Sequence, residues 1–137
     1  MTRDHFVEFV RAARQGVVAT VDVHGDPEAA LVGLAVNDAA EVIFDSLSGA
    51  RKVHNVRAHP RVALVIGCDG GVSVQVEGVA DILAGPVRDK YGAIYLSQFP
   101  GARALDDEFS IVRVVPQWTR YYDARQAPAL VLEGECW

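Results

Sequence analysis

The sequence predicts a mainly β protein, a small antiparallel barrel or sandwich with only short helices. Several short segments alternate apolar and polar residues, as in residues 72–77, where valines alternate with Ser73, Gln75 and Glu77. Turn-forming Gly, Asp, Asn and Pro residues recur between these segments, at intervals of about eight to twelve residues. The length of 137 residues and the hydrophobic content of 50% suit a single domain with a substantial core. Closing the sheet also removes exposed edges, which are a hazard for a valine-rich chain.

Strands are predicted where apolar and polar residues alternate, or where apolar residues run together between turns. Six strands are expected over residues 17–23, 29–36, 41–45, 61–67, 72–82 and 109–115, with a short seventh over 118–122. The segment 61–67 is nearly all apolar, which is typical of a strand buried on both faces. Gly78 is expected to mark a bulge and Pro116 to end the sixth strand. Residues 124–137 have no clear period, and no element is assigned to them.

Three helices are predicted, over residues 4–14, 51–59 and 87–98. The first has Phe6, Val7 and Val10 at helical spacing, and Gly16 follows as an expected stop. The third is followed by Phe99-Pro100-Gly101, which cannot continue a helix.

The most informative motif is the approach to the second helix, Ser-Leu-Ser-Gly-Ala-Arg-Lys over residues 46–52. We expect Ser48 to cap this helix and Arg51 and Lys52 to lie in its first turn. Cations are normally disfavoured there, because the helix dipole is positive at its N-terminus. A pair of them beside free backbone N–H groups indicates that an anion binds, most typically a phosphate group. A solvated basic turn without a ligand is the alternative.

Composition narrows the classes of function. A formal net charge of −5 argues against a nucleic-acid-binding protein, and no apolar run approaches the length of a membrane span. Cys68 and Cys136 have no metal-ligand spacing, and the histidines form no cluster, so no metal site is predicted. The polar N-terminus lacks the apolar centre of a signal peptide. We therefore expect a cytoplasmic protein in which both cysteines are reduced thiols.

The order of these parts is similar to that of a known family. A strand, a Gly-Asp-Pro turn, two strands, the Arg51-Lys52 helix start and His59-Pro60-Arg61-Val62 resemble the pyridoxamine 5′-phosphate oxidase-like family. The resemblance covers roughly residues 6–122. It implies a six- to seven-stranded antiparallel split β-barrel that forms a homodimer and binds FMN in two clefts at the subunit interface. The flavin-binding domain is then expected over residues 1–123, with a C-terminal tail over 124–137.

The resemblance also implies a set of cofactor-binding residues. Arg51 and Lys52 match the pair that grips the FMN phosphate, and Ser46 matches a hydroxyl position that faces it. The backbone of the strand that includes Ala30, Leu31 and Val32 is expected to pass the flavin ring. Ser73 or Gln75 is expected to reach the flavin from a second strand, and Trp118 lies near the position from which such proteins close over the ring.

Departures from the family pattern limit the function. Oxidases that act on pyridoxamine 5′-phosphate hold the substrate phosphate with a lysine, a tyrosine and an arginine, and here those positions read Ala35, Tyr95 and Phe99. Loss of both cations removes several charge-assisted hydrogen bonds, each worth about 1.5–3 kcal/mol. We therefore expect an FMN-dependent oxidoreductase with another substrate, and no catalytic acid or base is assigned because flavin chemistry belongs to the cofactor.

Two other functions stay open at this point. Ala30 stands where the true oxidases have an arginine, which leaves room for the same fold to bind the deazaflavin F420 or haem. A non-enzymatic dimer that holds a flavin without turnover is the third possibility. In every case the expected partners are a second copy of the chain and a small molecule.

Overall fold

The computed structural model describes all 137 residues of the chain. It contains three helices, α1 (Arg3–Ala13), α2 (Arg51–Ala58) and α3 (Gly85–Gln98). Its eight strands are β1 (Gln15–Val21), β2 (Pro27–Gly33), β3 (Ala35–Val36), β4 (Val42–Leu47), β5 (Arg61–Ile66), β6 (Val72–Ile82), β7 (Phe109–Asp123) and β8 (Leu130–Glu135). The mainly β prediction is therefore confirmed, and no helix has the length and apolar run that a membrane span requires.

The strands form one antiparallel sheet in the order β2-β1-β5-β6-β7-β4-β3, and β8 pairs with β7 beside this path. The two end strands of the path, β2 and β3, are consecutive in the chain and are separated only by Leu34. A sheet whose opposite ends are joined by one residue has to curl until those ends meet. This curl confirms the split β-barrel that the family resemblance implies.

A single hydrophobic core fills the interior of the curl. It is one continuous cluster of 27 buried residues, to which all three helices contribute, for example through Phe6, Val56 and Tyr91. Leu34, Phe44 and the other largest core side chains are almost completely buried. The sheet and the helices therefore share one core, and the strands keep a second, outward face.

The segment predicted to be buried on both faces is half-exposed in the structure. Val62, Leu64 and Ile66 of β5 face the core, whereas Ala63 and Val65 are exposed. The alternation of exposure was hidden in the sequence because both faces of this strand carry apolar residues.

The expected end of the sixth strand at Pro116 is wrong, because β7 continues to Asp123 as one long strand. Pro116 pairs with Gly78, where the register of β6 against β7 shifts as the predicted bulge requires. It also follows the β7 residues that pair with β4 and precedes those that pair with β8. A proline is tolerated at such an interruption of the ladder, since a missing N–H disrupts no regular pairing there.

Residues 124–137, to which no element was assigned, contain strand β8, which brings the count to eight strands. Its residues 130–135 pair with residues 118–123 of β7. Apolar residues 130–132 stand together and Glu133, Gly134 and Glu135 follow, so the segment lacks the alternation by which a strand is recognised. Strand β8 is mostly exposed, and its extended conformation is held by its pairing with β7.

The first helix ends before the predicted stop. Arg14 adopts a left-handed conformation (φ 64°) and closes α1 through a hydrogen bond from its N–H to the carbonyl of Val10. Gly16 lies instead in β1, where a Cβ atom would come 2.5 Å from the carbonyl oxygen of Val65. Gly16 is therefore required for close strand packing and not for the helix end.

Gly78→Ala tests the bulge on which the long strand depends. The added Cβ would lie 2.6 Å from the backbone carbonyl oxygen of Val115, which cannot rotate away. We expect the free energy of unfolding to fall by about 1–3 kcal/mol in urea denaturation. Gly101→Ala is the matched control, because a Cβ atom added there would have no neighbour within 4 Å. Equal stability of the two variants would contradict the packing described here.

Candidate functional site

A cleft of about 230 Å³ opens between the start of α2 and the hairpin of β1 and β2. Apolar side chains form one part of its wall and charged or hydroxyl side chains the other. Its lining residues are Val18, Thr20, Glu28, Ala29, Ala30, Ala50, Arg51 and Lys52. The predicted cationic pair therefore borders a real concavity.

The helix that carries this pair starts without a side-chain cap. Ala50 is the N-cap residue, in an extended conformation, and no acidic residue stands in the first turn. The predicted cap by Ser48 is wrong, since its hydroxyl oxygen lies 2.8 Å from that of Ser110 in a hydrogen bond between loop and strand. The first N–H groups of a helix have no partners within the helix. The start of α2 consequently presents donors, a positive dipole end and two cations on one side.

Arg51 already has an anionic partner within the chain. Its guanidinium donates to Oε2 of Glu28 at 2.9 Å. The Arg51 side chain is 79% exposed, whereas that of Glu28 is only 18% exposed. Lys52 is half-buried and takes part in no ion pair. The two cations therefore differ, because one is partly neutralised and the other is not.

Asn55 fixes α2 to both strands of the hairpin. Its side-chain amide is buried and donates to Oγ1 of Thr20 at 3.0 Å and to Oε1 of Glu28 at 2.7 Å. Glu28 thus accepts one hydrogen bond from Asn55 and one from Arg51, through different oxygens. We call the connected set Thr20, Asn55, Glu28 and Arg51 the hairpin clamp.

Sequence reasoning gave no role to three members of the hairpin clamp. Thr20 and Glu28 stand in ordinary strand positions, and no local spacing connects them to Asn55. The one available signal is that Asn55 falls beside Val53 and Val56 on the buried face of its helix. A polar side chain on such a face needs a hydrogen-bonding partner from another element.

The structure brings together three of the eight predicted cofactor residues. Arg51, Lys52 and Ala30 all line the cleft. Val32 is buried in the core, and Ser46 is buried in β4 with its hydroxyl donating to the carbonyl of Leu47. The remaining three, Leu31, Gln75 and Trp118, lie on the opposite side of the sheet from the core.

That outward side has an apolar region, which we call the outward face and define by Val17, Leu31, Ala63 and Val65. Leu31 pairs with Val17 and Val17 with Val65, so these side chains form a row across β2, β1 and β5. Leu31 is 64% exposed and Val65 40% exposed. The same row continues to Gln75 on β6, while Trp118 is paired with Glu77 in the next row.

The end of α3 carries an aromatic cluster in place of a free cation. Tyr95 stacks on Phe99 with ring centroids 4.8 Å apart, and the guanidinium of Arg14 lies 4.5 Å over the Phe99 ring. Burial, together with the nearby Asp45 carboxylate, raises the pKa of the Tyr95 phenol well above its usual range. Tyr95 therefore stays protonated, and its hydroxyl lies 3.5 Å from the carbonyl oxygen of Gly33.

Comparison with known proteins gives a consistent result. The family model described as pyridoxamine 5′-phosphate oxidase matches residues 2–123. Pyridoxine/pyridoxamine 5′-phosphate oxidases of Escherichia coli are 43% identical over 49 residues, which is 36% of this chain and 22% of theirs. The match thus spans about a fifth of the length of those curated relatives.

Solved structures of several proteins share the fold. A conserved hypothetical protein of Mycobacterium tuberculosis has a TM-score of 0.76 at 25% identity, over 93% of this chain and 88% of that one. A haem-binding protein of Mycobacterium smegmatis has a TM-score of 0.79 at 18% identity, over 98% and 58% of the two chains. An FMN-binding, pyridoxamine 5′-phosphate oxidase-related protein of Nostoc punctiforme has a TM-score of 0.71 at 14% identity, over 96% and 93%. At these low identities the last two show the fold alone.

Asn55→Ala tests the hairpin clamp. The variant leaves Thr20 and the mostly buried Glu28 carboxylate without their amide donor, so we expect the free energy of unfolding to fall by about 1–3 kcal/mol. Chemical denaturation measures this loss. His54→Ala changes an exposed neighbour on the same helix and should stay within about 0.5 kcal/mol of the wild type. A loss no larger than that of His54→Ala would show that the clamp is not a structural tie.

Proposed function

Because this chain belongs to the pyridoxamine 5′-phosphate oxidase family, we propose that it binds FMN and acts as an FMN-dependent oxidoreductase. The observation that carries the proposal is the pair Arg51 and Lys52 at the uncapped start of α2, beside a cleft. When bound, FMN supplies hydride or electron transfer through its flavin ring, and the protein supplies position and electrostatics.

The residues of the cleft fit a phosphate group. A phosphate monoester carries about −1.5 to −2 charges at neutral pH and offers three strong acceptor oxygens. Arg51 and Lys52 supply two positive charges, and the first turn of α2 supplies N–H donors. Glu28 opposes this with one negative charge, so the fit is favourable but not fully compensated.

The size of the cleft indicates which part of FMN it holds. Its volume of about 230 Å³ is below the roughly 300–1,000 Å³ that is usual for pockets enclosing a whole ligand of this size. The phosphate and its ribityl chain are therefore assigned to the cleft, and the ring extends past Ala30 along β2. Residues 1–123 form the flavin-binding unit in this proposal.

A second copy of the chain is proposed to complete the site. The outward face exposes Leu31, Ala63 and Val65, with Val17 between Leu31 and Val65, and a contiguous apolar region of this kind is typical of a protein interface. Gln75 and Trp118 border the same face. In the proposed homodimer they lie at the interface, and we propose that they contribute to the flavin site of the partner.

The proposed substrate is not pyridoxamine 5′-phosphate. Ala35 is completely buried in β3, and Phe99 packs between Tyr95 and Arg14. The Arg14 guanidinium donates to the carbonyl of Gln98 at 3.1 Å, so it is already engaged at the end of α3. These contacts support a substrate that has no phosphate group of its own, so that the phosphate of FMN is the only one in the proposed site.

The absorption spectrum of the purified protein tests the choice of cofactor. A flavin spectrum, with FMN released on denaturation and identified by mass spectrometry, is the expected result. A deazaflavin spectrum or a haem Soret band would instead identify F420 or haem as the ligand and overturn the FMN proposal. Reduction of the bound flavin by NAD(P)H is then expected for an oxidoreductase, and a flavin that no nicotinamide donor or substrate reduces would indicate a non-enzymatic dimer.

The double variant Arg51→Ala/Lys52→Ala tests the phosphate cleft. We expect its Kd for FMN to rise at least tenfold, or about 1.4 kcal/mol, because two charged donors are lost. Fluorescence titration of FMN measures this change, and riboflavin, which has no phosphate, should show little difference between the proteins. Arg57→Ala, in the last turn of the same helix, is the control for lost positive charge. FMN affinity that is unchanged in the double variant would remove the phosphate site.

Val65→Glu tests the proposed dimer. A charge in the middle of the outward face should shift the protein from dimer to monomer at micromolar concentration in sedimentation velocity, because a buried unpaired carboxylate is costly. Val87→Glu is the control, since Val87 is similarly exposed (45%) but lies on α3. A wild-type monomer, or dimers that tolerate both changes equally, would contradict the proposed interface.

A further inference from the structure

We infer that the Glu28 carboxylate competes with the ligand's phosphate for Arg51 and lowers the preference of the cleft for a doubly charged anion. This inference rests on the proposed function, because it concerns the same cleft at the start of α2. Glu28 is a residue to which neither the sequence pattern nor the family resemblance gives a role. It acts here as a specificity-determining residue.

The geometry makes Glu28 and the ligand rivals for the same donor. The Arg51 guanidinium that would bind a phosphate donates to Oε2 of Glu28 at 2.9 Å, and both side chains line the cleft. A carboxylate and a phosphate oxygen accept hydrogen bonds from an arginine in the same manner. The Glu28 carboxylate therefore takes the place, in the free protein, of one of the ligand's charged contacts.

The two partners of this ion pair are not equally free to move. Glu28 is mostly buried, and its Oε1 is held by the buried Asn55 amide at 2.7 Å. Arg51 is 79% exposed and has no other partner among the hydrogen bonds of the chain. A ligand's phosphate should consequently draw Arg51 away, while Glu28 stays in the wall of the cleft and faces the new anion.

Glu28 lowers the net positive charge that the cleft offers to an anion. Arg51 and Lys52 contribute two positive charges and Glu28 one negative charge, which leaves one positive charge beside the helix dipole. A phosphate diester carries one negative charge, and a monoester carries close to two. Glu28 therefore weakens the binding of a dianionic monoester relative to a monoanionic diester, and it lowers the affinity for FMN below what the cationic pair alone would give.

Glu28→Gln separates this electrostatic role from a purely structural one. Glutamine keeps the length of the side chain and an oxygen that accepts from Asn55, but it removes the charge. The probes are methyl phosphate and dimethyl phosphate at about pH 8, where the monoester is nearly a full dianion. Binding is followed by the backbone amide shifts of Arg51 and Lys52 in NMR titrations of the full chain.

The expected result is at least fivefold tighter binding of methyl phosphate to the Glu28→Gln variant, with a change of less than twofold for dimethyl phosphate. Glu8→Gln removes the same formal charge from an exposed site on α1 and should change neither affinity. A purely structural role for Glu28 would weaken both probes together. Equal or weaker binding of methyl phosphate to Glu28→Gln overturns the inference, as does an absence of binding to both proteins.

The ratio of the two affinities provides a second measurement. The preference for methyl phosphate over dimethyl phosphate should be smaller in the wild type than in Glu28→Gln, and an equal or larger preference in the wild type would overturn the inference. Titration with FMN keeps the two proposals apart. If Glu28→Gln tightens methyl phosphate while neither protein binds FMN, the flavin assignment is wrong and the role of Glu28 stands. If FMN binds through Arg51 and Lys52 but Glu28→Gln has no effect on either monoester, only the role of Glu28 is wrong.

Discussion

The buried amide of Asn55 is the contact on which the candidate site depends. It reaches from α2 to Thr20 of β1 and Glu28 of β2, so one side chain holds the helix against both strands of the hairpin. The buried Val53 and Val56 pack the same helix against the core, so Asn55 adds a directional contact to the position that packing gives α2. Because buried polar groups are costly when unpaired, the same contact also holds the Glu28 carboxylate in the cleft wall. Asn55 thus contributes both to the position of α2 and to the position of the Glu28 charge.

The curl of the sheet explains why the two sides of the hairpin differ so strongly. Chain continuity between β2 and β3 forces the sheet to close, and the closed interior takes up the core residues of β1 and β2. Their remaining side chains face outward, where Val17, Leu31 and Val65 form an apolar row. The hairpin therefore borders a cleft of mixed apolar and charged lining at α2, and it presents an apolar surface on its other side. The cleft and the apolar row are the two surfaces on which the proposed cofactor site and the proposed dimer depend.

Features with a local cause were predictable from the sequence. The start of α2 at Arg51 was predicted correctly although the expected Ser48 cap is absent, and a glycine in an alternating strand predicted the bulge at Gly78. Features set by distant partners were not. Strand β8 has no period of its own, Ser48 bonds to Ser110 instead of capping a helix, and Glu28 meets Arg51 from another element. The cationic pair could be predicted because Arg51 and Lys52 stand together at a predicted helix start. The ion pair between Arg51 and Glu28 could not be predicted, because it joins residues of different elements.

A crystal structure of the chain with FMN bound tests the central claim most directly. The account predicts that the phosphate lies at the start of α2, within hydrogen-bonding distance (about 3 Å) of the Arg51 side chain and of first-turn N–H groups. It also predicts that Glu28 remains bonded to Asn55 in the complex. FMN bound with its phosphate in solvent or at another element, and the Arg51–Glu28 pair left intact, would contradict the account.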